Sequence, residues 1–172
     1  MSLAQTLSDM QIFMVGRGGQ GILVLARALA QWAAGTGREV ITSETHGMAM
    51  RGGTVTASLK IGDFAGPLIP AGSADVLIGL DEQEARSHLA MLRQGGVSIV
   101  NAPERGHFDH VLNASGIARS LGTPGAANMV MLGLTARVLG IEPSVAEGIV
   151  EAVSRPSDLE ANRAALLAGL NA

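Results

Sequence analysis

Two glycine-rich segments hold most of the residues that could do chemistry. The first, Gly16-Arg17-Gly18-Gly19-Gln20-Gly21, lies between an apolar run and a helical pattern. In that setting glycines allow a tight turn, and the unpaired amides of the following helix can meet an anion. Arg17 adds a fork-shaped donor. Glu44 falls near the usual distance of ~20 residues for an acid that accepts from a ribose hydroxyl. The second segment is His46-Gly47-Met48-Ala49-Met50-Arg51-Gly52-Gly53. There His46 could hydrogen-bond or handle a proton, and Arg51 could clamp an anion, both as supporting groups. Each segment also has a plainer reading. A glycine turn can simply pack helix on sheet, and a Met-bearing loop can lie against another chain.

Other reactive constellations are missing. The chain has no cysteine, so it can neither ligate an iron–sulfur cluster nor form a redox disulfide. No Gly-x-Ser-x-Gly elbow precedes a helix. Of the four histidines, His46, His88, His107 and His110, none has zinc-site spacing, and His88 reads as a solvated helix residue. No catalytic residue and no metal are therefore expected in this chain alone.

The groups that remain must be positioned by regular elements. Gln11 to Val15 reads as a buried strand and Ile22 to Ala34 as a helix, followed by a strand at Glu39 to Thr42. Together these predict a βαβ unit. Residues 43–53 lack any period and read as a loop. Thr54 to Ile61 alternates, with Val55, Ala57, Leu59 and Ile61 on one face, which predicts an antiparallel or edge strand whose other face is polar. Val76 to Leu80 and Val97 to Val100 read as further buried strands. Glu82 to Arg93 reads as a helix stopped by Gly95-Gly96, and Ala114 to Leu121 as a short one. Ala126 to Leu139 is apolar nearly all round, as in a core or interface helix. Ser144 with Glu147, and Ser157 with Glu160, match the capping-box pattern, the latter opening a last helix over 158–168. The expected fold class is α/β: a Rossmann-like three-layer sandwich, mostly parallel, with an antiparallel strand after the 43–53 loop. Residues 1–10 read as a disordered or tag-like N-terminus and 11–172 as one domain. The role of residues 103–125 stays open.

Composition narrows the partners. Charged residues make up only 16% of the chain against 47% hydrophobic, and the formal net charge is -3. No basic stripe for nucleic acid or membrane is visible. So few charges on so apolar a chain predict exposed apolar surface and association, and an isolated chain could pair as a homodimer. Absence of cysteine fits a cytoplasmic location.

The GRGGQG turn, the SETHGMAMRGGTVTASLKIG segment and the ANMVMLGLTARVLG helix, in that order, resemble the gamma subunit or domain of the pyruvate/2-oxoacid:ferredoxin oxidoreductase family. That family includes the 2-oxoglutarate, ketoisovalerate and indolepyruvate members. The resemblance spans about Gln11 to Ala168. It implies a subunit of a complex that oxidatively decarboxylates a 2-oxoacid to an acyl-CoA and reduces ferredoxin or flavodoxin. Thiamine diphosphate and iron–sulfur clusters would be held by partner subunits, with coenzyme A as co-substrate. The candidate ligand-binding residues are Gly16, Arg17, Gly18, Gly19, Gln20, Gly21, Arg51, Gly52 and Gly53, which the resemblance covers, together with Glu44 from the dinucleotide spacing. A free-standing NAD(P)-binding Rossmann oxidoreductase and a non-catalytic assembly module remain as alternatives.

Overall fold

The computed structural model of the chain describes residues 8–46 and 52–172. It opens with β1 (Met10–Arg17), whose run Ile12 to Val15 is buried on both sides, as a central strand requires. Alternation sends Ile12 and Met14 to one hydrophobic cluster and Phe13 and Val15 to another, across the sheet. After the glycine turn come α1 (Ile22–Gly35), β2 (Val40–His46) and β3 (Thr54–Ile61). β4 (Ala74–Gly79), α2 (Glu82–Ser87), β5 (Leu92–Asn101) and β6 (His110–Leu112) complete the sheet, in the order β2-β3-β1-β4-β5-β6. All strands run parallel except β3, which is antiparallel to both β1 and β2. The expected α/β class with one antiparallel strand is thus observed.

Several expectations need correction. β1 and β2 are parallel but not neighbours, because β3 is inserted between them. The βαβ unit is split. β2 also continues through Ser43 to His46, residues expected to form a loop; on a sheet edge a strand needs no apolar signature. β3 is not an edge, and its polar face is not open: Ser58 and Lys60 are buried. The segment after β3 covers them, with the Ser58 hydroxyl donating to Pro67 O at 3.1 Å and Lys60 Nζ lying 5.0 Å from the Phe64 ring centroid. The helix expected over Glu82 to Arg93 ends at Ser87, where the His88 N–H donates to Glu84 O and Ala85 O at 3.2 and 3.1 Å. His88 is not a solvated helix residue: it stacks on Phe13 at 5.7 Å, and its Nδ1 lies 2.8 Å from Glu84 O. Gly95 and Gly96 do not stop that helix. They sit inside β5, Gly95 at φ 75°, where the pairing with β4 shifts register, as in a bulge.

The helices divide unequally. α1, α3 (Ala114–Ser120), α4 (Ala127–Leu139), α5 (Pro143–Val153) and α6 (Leu159–Leu170) share one cluster. Among the described residues, α2, the 3₁₀ turn Leu89–Met91 and the loops around Ile69 and Phe108 cover the other face. Neither capping box forms. Pro143 takes the first position of α5, placing Ser144 inside the helix, and Ser157 donates to Asp158 Oδ1 instead of accepting a helix amide. Among the described residues no helix is long and apolar enough to cross a membrane.

Helix α4 is buried almost throughout, and α6 lies against it through two glycines. A Cβ on Gly169 would overlap the Val130 carbonyl, and one on Gly133 would overlap the Leu166 carbonyl and lie 2.7 Å from Leu170 N. Both obstacles are backbone and cannot rotate away. Gly169→Ala should therefore force the helices apart and cost about 1–3 kcal/mol or more in denaturant unfolding of the chain. Gly148→Ala on the exposed face of α5, where a Cβ meets nothing within 4 Å, should be neutral or stabilise by about 0.5–1 kcal/mol.

A second device fastens β5 to the loop before β6. Ser98 donates its N–H and its hydroxyl to Asp109 Oδ2 at 2.8 and 2.7 Å, and accepts Asp109 N–H at 2.9 Å. These bonds, the backbone one foremost, hold the Asp109 carboxyl below its ordinary 3.8, helped by His110. A depressed folded pKa contributes stability above the ordinary value and loses it as pH falls through the folded one. Asp109→Asn should therefore be less stable than the parent at neutral pH. The gap should shrink on acidification below about pH 3.8, as read by denaturant midpoints across pH.

Candidate functional site

The chain leaves β1 toward β2 on one side and β4 toward β5 on the other, with α1 and α2 on opposite faces. β1 and β4 are thus where the winding reverses, and open α/β sheets bind ligands beyond the carboxyl ends of such strands. The glycine turn sits there. Its geometry is set from within: Arg17 N–H donates to Gln20 Oε1 at 2.7 Å, and Gln20 N–H to Arg17 O at 3.1 Å. Gly21, at φ 85°, is the N-cap of α1 and provides no side-chain cap. The buried amide of Asn128 occupies the space a side chain there would take, its Nδ2 donating to Gly21 O at 3.4 Å, a long contact.

The two glycine segments meet. Gly18 N–H donates to Gly53 O at 2.9 Å, and antiparallel pairing aligns Arg17 with Thr54. Gly16 through Gly21, with Gly52 and Gly53, are therefore one constellation. Residues 47–51, Arg51 among them, lie outside the described residues. The backbone of His46 ends β2 opposite Val55, which faces Gly16, so His46 belongs to the same end of the sheet.

Two sequence assignments move. Glu44 lies two residues before the end of β2; it is aligned with Ala57, and Ala57 with Met14, three residues before the end of β1. The inserted β3 also adds one strand spacing, about 4.8 Å, to its distance from β1. A ribose-binding acid needs β2 beside β1, so the NAD(P) reading loses its acid. Arg17 is not an open clamp. Its Nη2 donates to Gln83 Oε1 at 2.8 Å, and its Nε lies 3.4 Å from Asp81 Oδ2 and 3.6 Å from Glu84 Oε1. Asp81 caps α2 by accepting Glu84 N–H at 3.0 Å, and Thr54 donates to Glu84 Oε2 at the same distance. Arg17 ties the turn to α2 and β3, with its charge already balanced.

Two cavities flank the turn. One of about 450 Å³ runs between Gly19, Gly21, Thr123, Asn128, Arg155 and Asn162. The Thr123 hydroxyl on its wall is buried with no hydrogen-bond partner. The other, about 150 Å³, lies under Gln20, Leu80, Asn101, Ser115 and Asn128. Gly19, Gly125 and Asn128 line both. Sequence reasoning missed Asn101, Ser115, Thr123 and Asn128, because they come from separate elements and form no local motif.

The Gly21–Asn128 contact is testable. A Cβ on Gly21 would strike the Asn128 amide, and φ 85° disfavours any side chain. Gly21→Ala should cost about 1–3 kcal/mol. Part of that loss should return in a Gly21→Ala/Asn128→Ala double variant, read as a positive coupling in a thermodynamic cycle. Strict additivity would show that the two residues do not touch.

With this geometry established, residues 11–172 match the family described as pyruvate ferredoxin/flavodoxin oxidoreductase. An indolepyruvate oxidoreductase subunit from Archaeoglobus fulgidus is 35% identical, over 73% of this chain and 75% of that one. Among solved structures, the gamma subunit of a keto/oxoacid ferredoxin oxidoreductase from Geobacter sulfurreducens is 26% identical. It superposes with a TM-score of 0.77 over 94% of this chain and 96% of that one. A pyruvate oxidoreductase subunit from Thermotoga maritima is 27% identical, with a TM-score of 0.79 over 96% and 97%. The split sheet, the paired glycine segments and these likenesses agree, and the chain belongs to the pyruvate ferredoxin/flavodoxin oxidoreductase family as a gamma-type subunit.

Proposed function

We propose that this chain serves a multi-subunit, thiamine-diphosphate-dependent 2-oxoacid:ferredoxin oxidoreductase, holding coenzyme A phosphates at its glycine constellation while partner subunits carry the redox centres. The observation that carries this reading is the Gly18–Gly53 hydrogen bond, which brings both glycine segments to the β1/β4 reversal beside two polar cavities. A glycine turn at a helix N-terminus favours a phosphate, and the flanking grooves leave room for the rest of an elongated ligand.

The residues of this chain do not fit an iron–sulfur cluster, which needs thiolates that a cysteine-free sequence lacks. That supports placing the clusters, and the thiamine chemistry coupled to them, on thiamine-binding and iron–sulfur partner chains. Coenzyme A fits better. Gly16 to Gly21, Gly52 and Gly53 would approach its phosphates closely, with Arg51 and His46 supplied from the neighbouring segment. When bound, coenzyme A supplies the thiol that accepts the acyl group. This chain's own part is to bind and orient. Ferredoxin or flavodoxin takes the electrons from the complex, in the cytoplasm.

The purified chain should show no 2-oxoacid-dependent reduction of ferredoxin or of a viologen dye. Activity should appear only when the thiamine-binding and iron–sulfur subunits are added. Turnover by the chain alone would sink the proposal. In the assembled complex, Gly21→Ala should raise KM for coenzyme A while leaving KM for the 2-oxoacid unchanged.

A further inference from the structure

The hydrogen bonds around the smaller cavity leave an unequal remainder. Gln20 Oε1 accepts Arg17 N–H, and Asn101 Oδ1 accepts Ser115 N–H at 3.2 Å. Asn101 Nδ2 gives one proton to Leu80 O at 3.0 Å and the other to Ser115 Oγ at 2.9 Å. Asn101 has then no proton left for a ligand. The Ser115 hydroxyl already accepts a bond, which leaves its own proton free to donate. Among the described residues only the oxygen of the Gln20 amide is engaged, which leaves both Nε2 protons to donate. Gln20 and Ser115 both line this cavity of about 150 Å³. Asn128, the remaining amide on its wall, donates to Gly21 O.

We infer that this crevice is a binding site for an oxyanion, a phosphate or carboxylate group, with Gln20 Nε2 and the Ser115 hydroxyl as donors and Asn101 as the positioning residue that turns Ser115 toward the ligand. An acceptor-only group is the natural complement of such a remainder, and hydrogen bonds to a charged acceptor are the strong ones. The site is separate from Arg17, whose fork points to α2. The inference rests on the proposed function only for the source of the oxyanion, a coenzyme A phosphate or the carboxylate of the 2-oxoacid.

The test begins with the full chain, isotopically labelled and titrated with inorganic phosphate by NMR. The Gln20 side-chain amide and the Ser115 backbone amide should shift together and saturate. Ser115→Ala should weaken binding about tenfold. Gln20→Glu keeps an oxygen for Arg17 N–H but sets a negative charge where Nε2 stood, and it should abolish saturation. Shifts that stay linear, or that are unchanged in both variants, overturn the inference. In the assembled complex, a Ser115→Ala rise in KM for coenzyme A alone assigns a phosphate. A rise in KM for the 2-oxoacid alone assigns a carboxylate; it keeps the crevice but removes coenzyme A from it. If neither KM moves while Gly21→Ala still raises that for coenzyme A, the crevice is refuted and the proposed function stands.

Discussion

Everything at the carboxyl end of this sheet depends on how β3 pairs. Running antiparallel between β1 and β2, it starts where β1 ends, so Gly52 and Gly53 arrive beside Gly16 to Gly21 without a long connection. The Gly18 to Gly53 bond is the continuation of that ladder past the strand ends. A slip of one residue in the pairing would turn Ala57, Leu59 and Ile61 away from α1 and bury Ser58 and Lys60 beneath it. The register is therefore held by the core, and the glycine constellation inherits its alignment from burial some way inside the sheet.

The same strand separates this protein from a dinucleotide-binding fold of ordinary topology. The first crossover, the turn and the helix are all present. What changes is the neighbour of β1, and with it the acid that would have selected a ribose. On the other side of the turn, toward β5, polar groups come from three other elements: Asn101 at the end of β5, Ser115 in α3 and Asn128 in α4. Arg17, meanwhile, couples the turn to α2 through Asp81, Gln83 and Glu84. Exposed pairs of this kind contribute little stability, typically ~0–1 kcal/mol, but they do fix the relative orientation of turn and helix.

Much of the architecture could be read from residues alone, for a physical reason. Buried strands such as Val76 to Leu80 must be apolar on both faces, and an amphipathic stretch such as Thr54 to Ile61 must alternate. The failures have reasons too. Ser43 to His46 is polar because an edge strand can be. Lys60 looks solvent-facing until Phe64, four residues on, lies beneath its ammonium. Gly95-Gly96 serves a helix stop and a strand bulge equally well, and only the pairing with β4 decides. Of the site, the two glycine segments were legible because backbone approach demands glycine locally. The polar lining was not, since Asn101, Ser115 and Asn128 are joined only by the folded sheet.

The glycine contact between α4 and α6 also bears on how the molecule is made. Chains emerge from the ribosome N-terminus first, and domains fold as units. Helix α4 packs on β5, yet its own outer surface is covered by α6, which is synthesised after it. Until residues near 169 emerge, a greasy helix waits without its mate. Nascent chains of this protein should therefore be most in need of chaperone shelter between the emergence of α4 and that of α6.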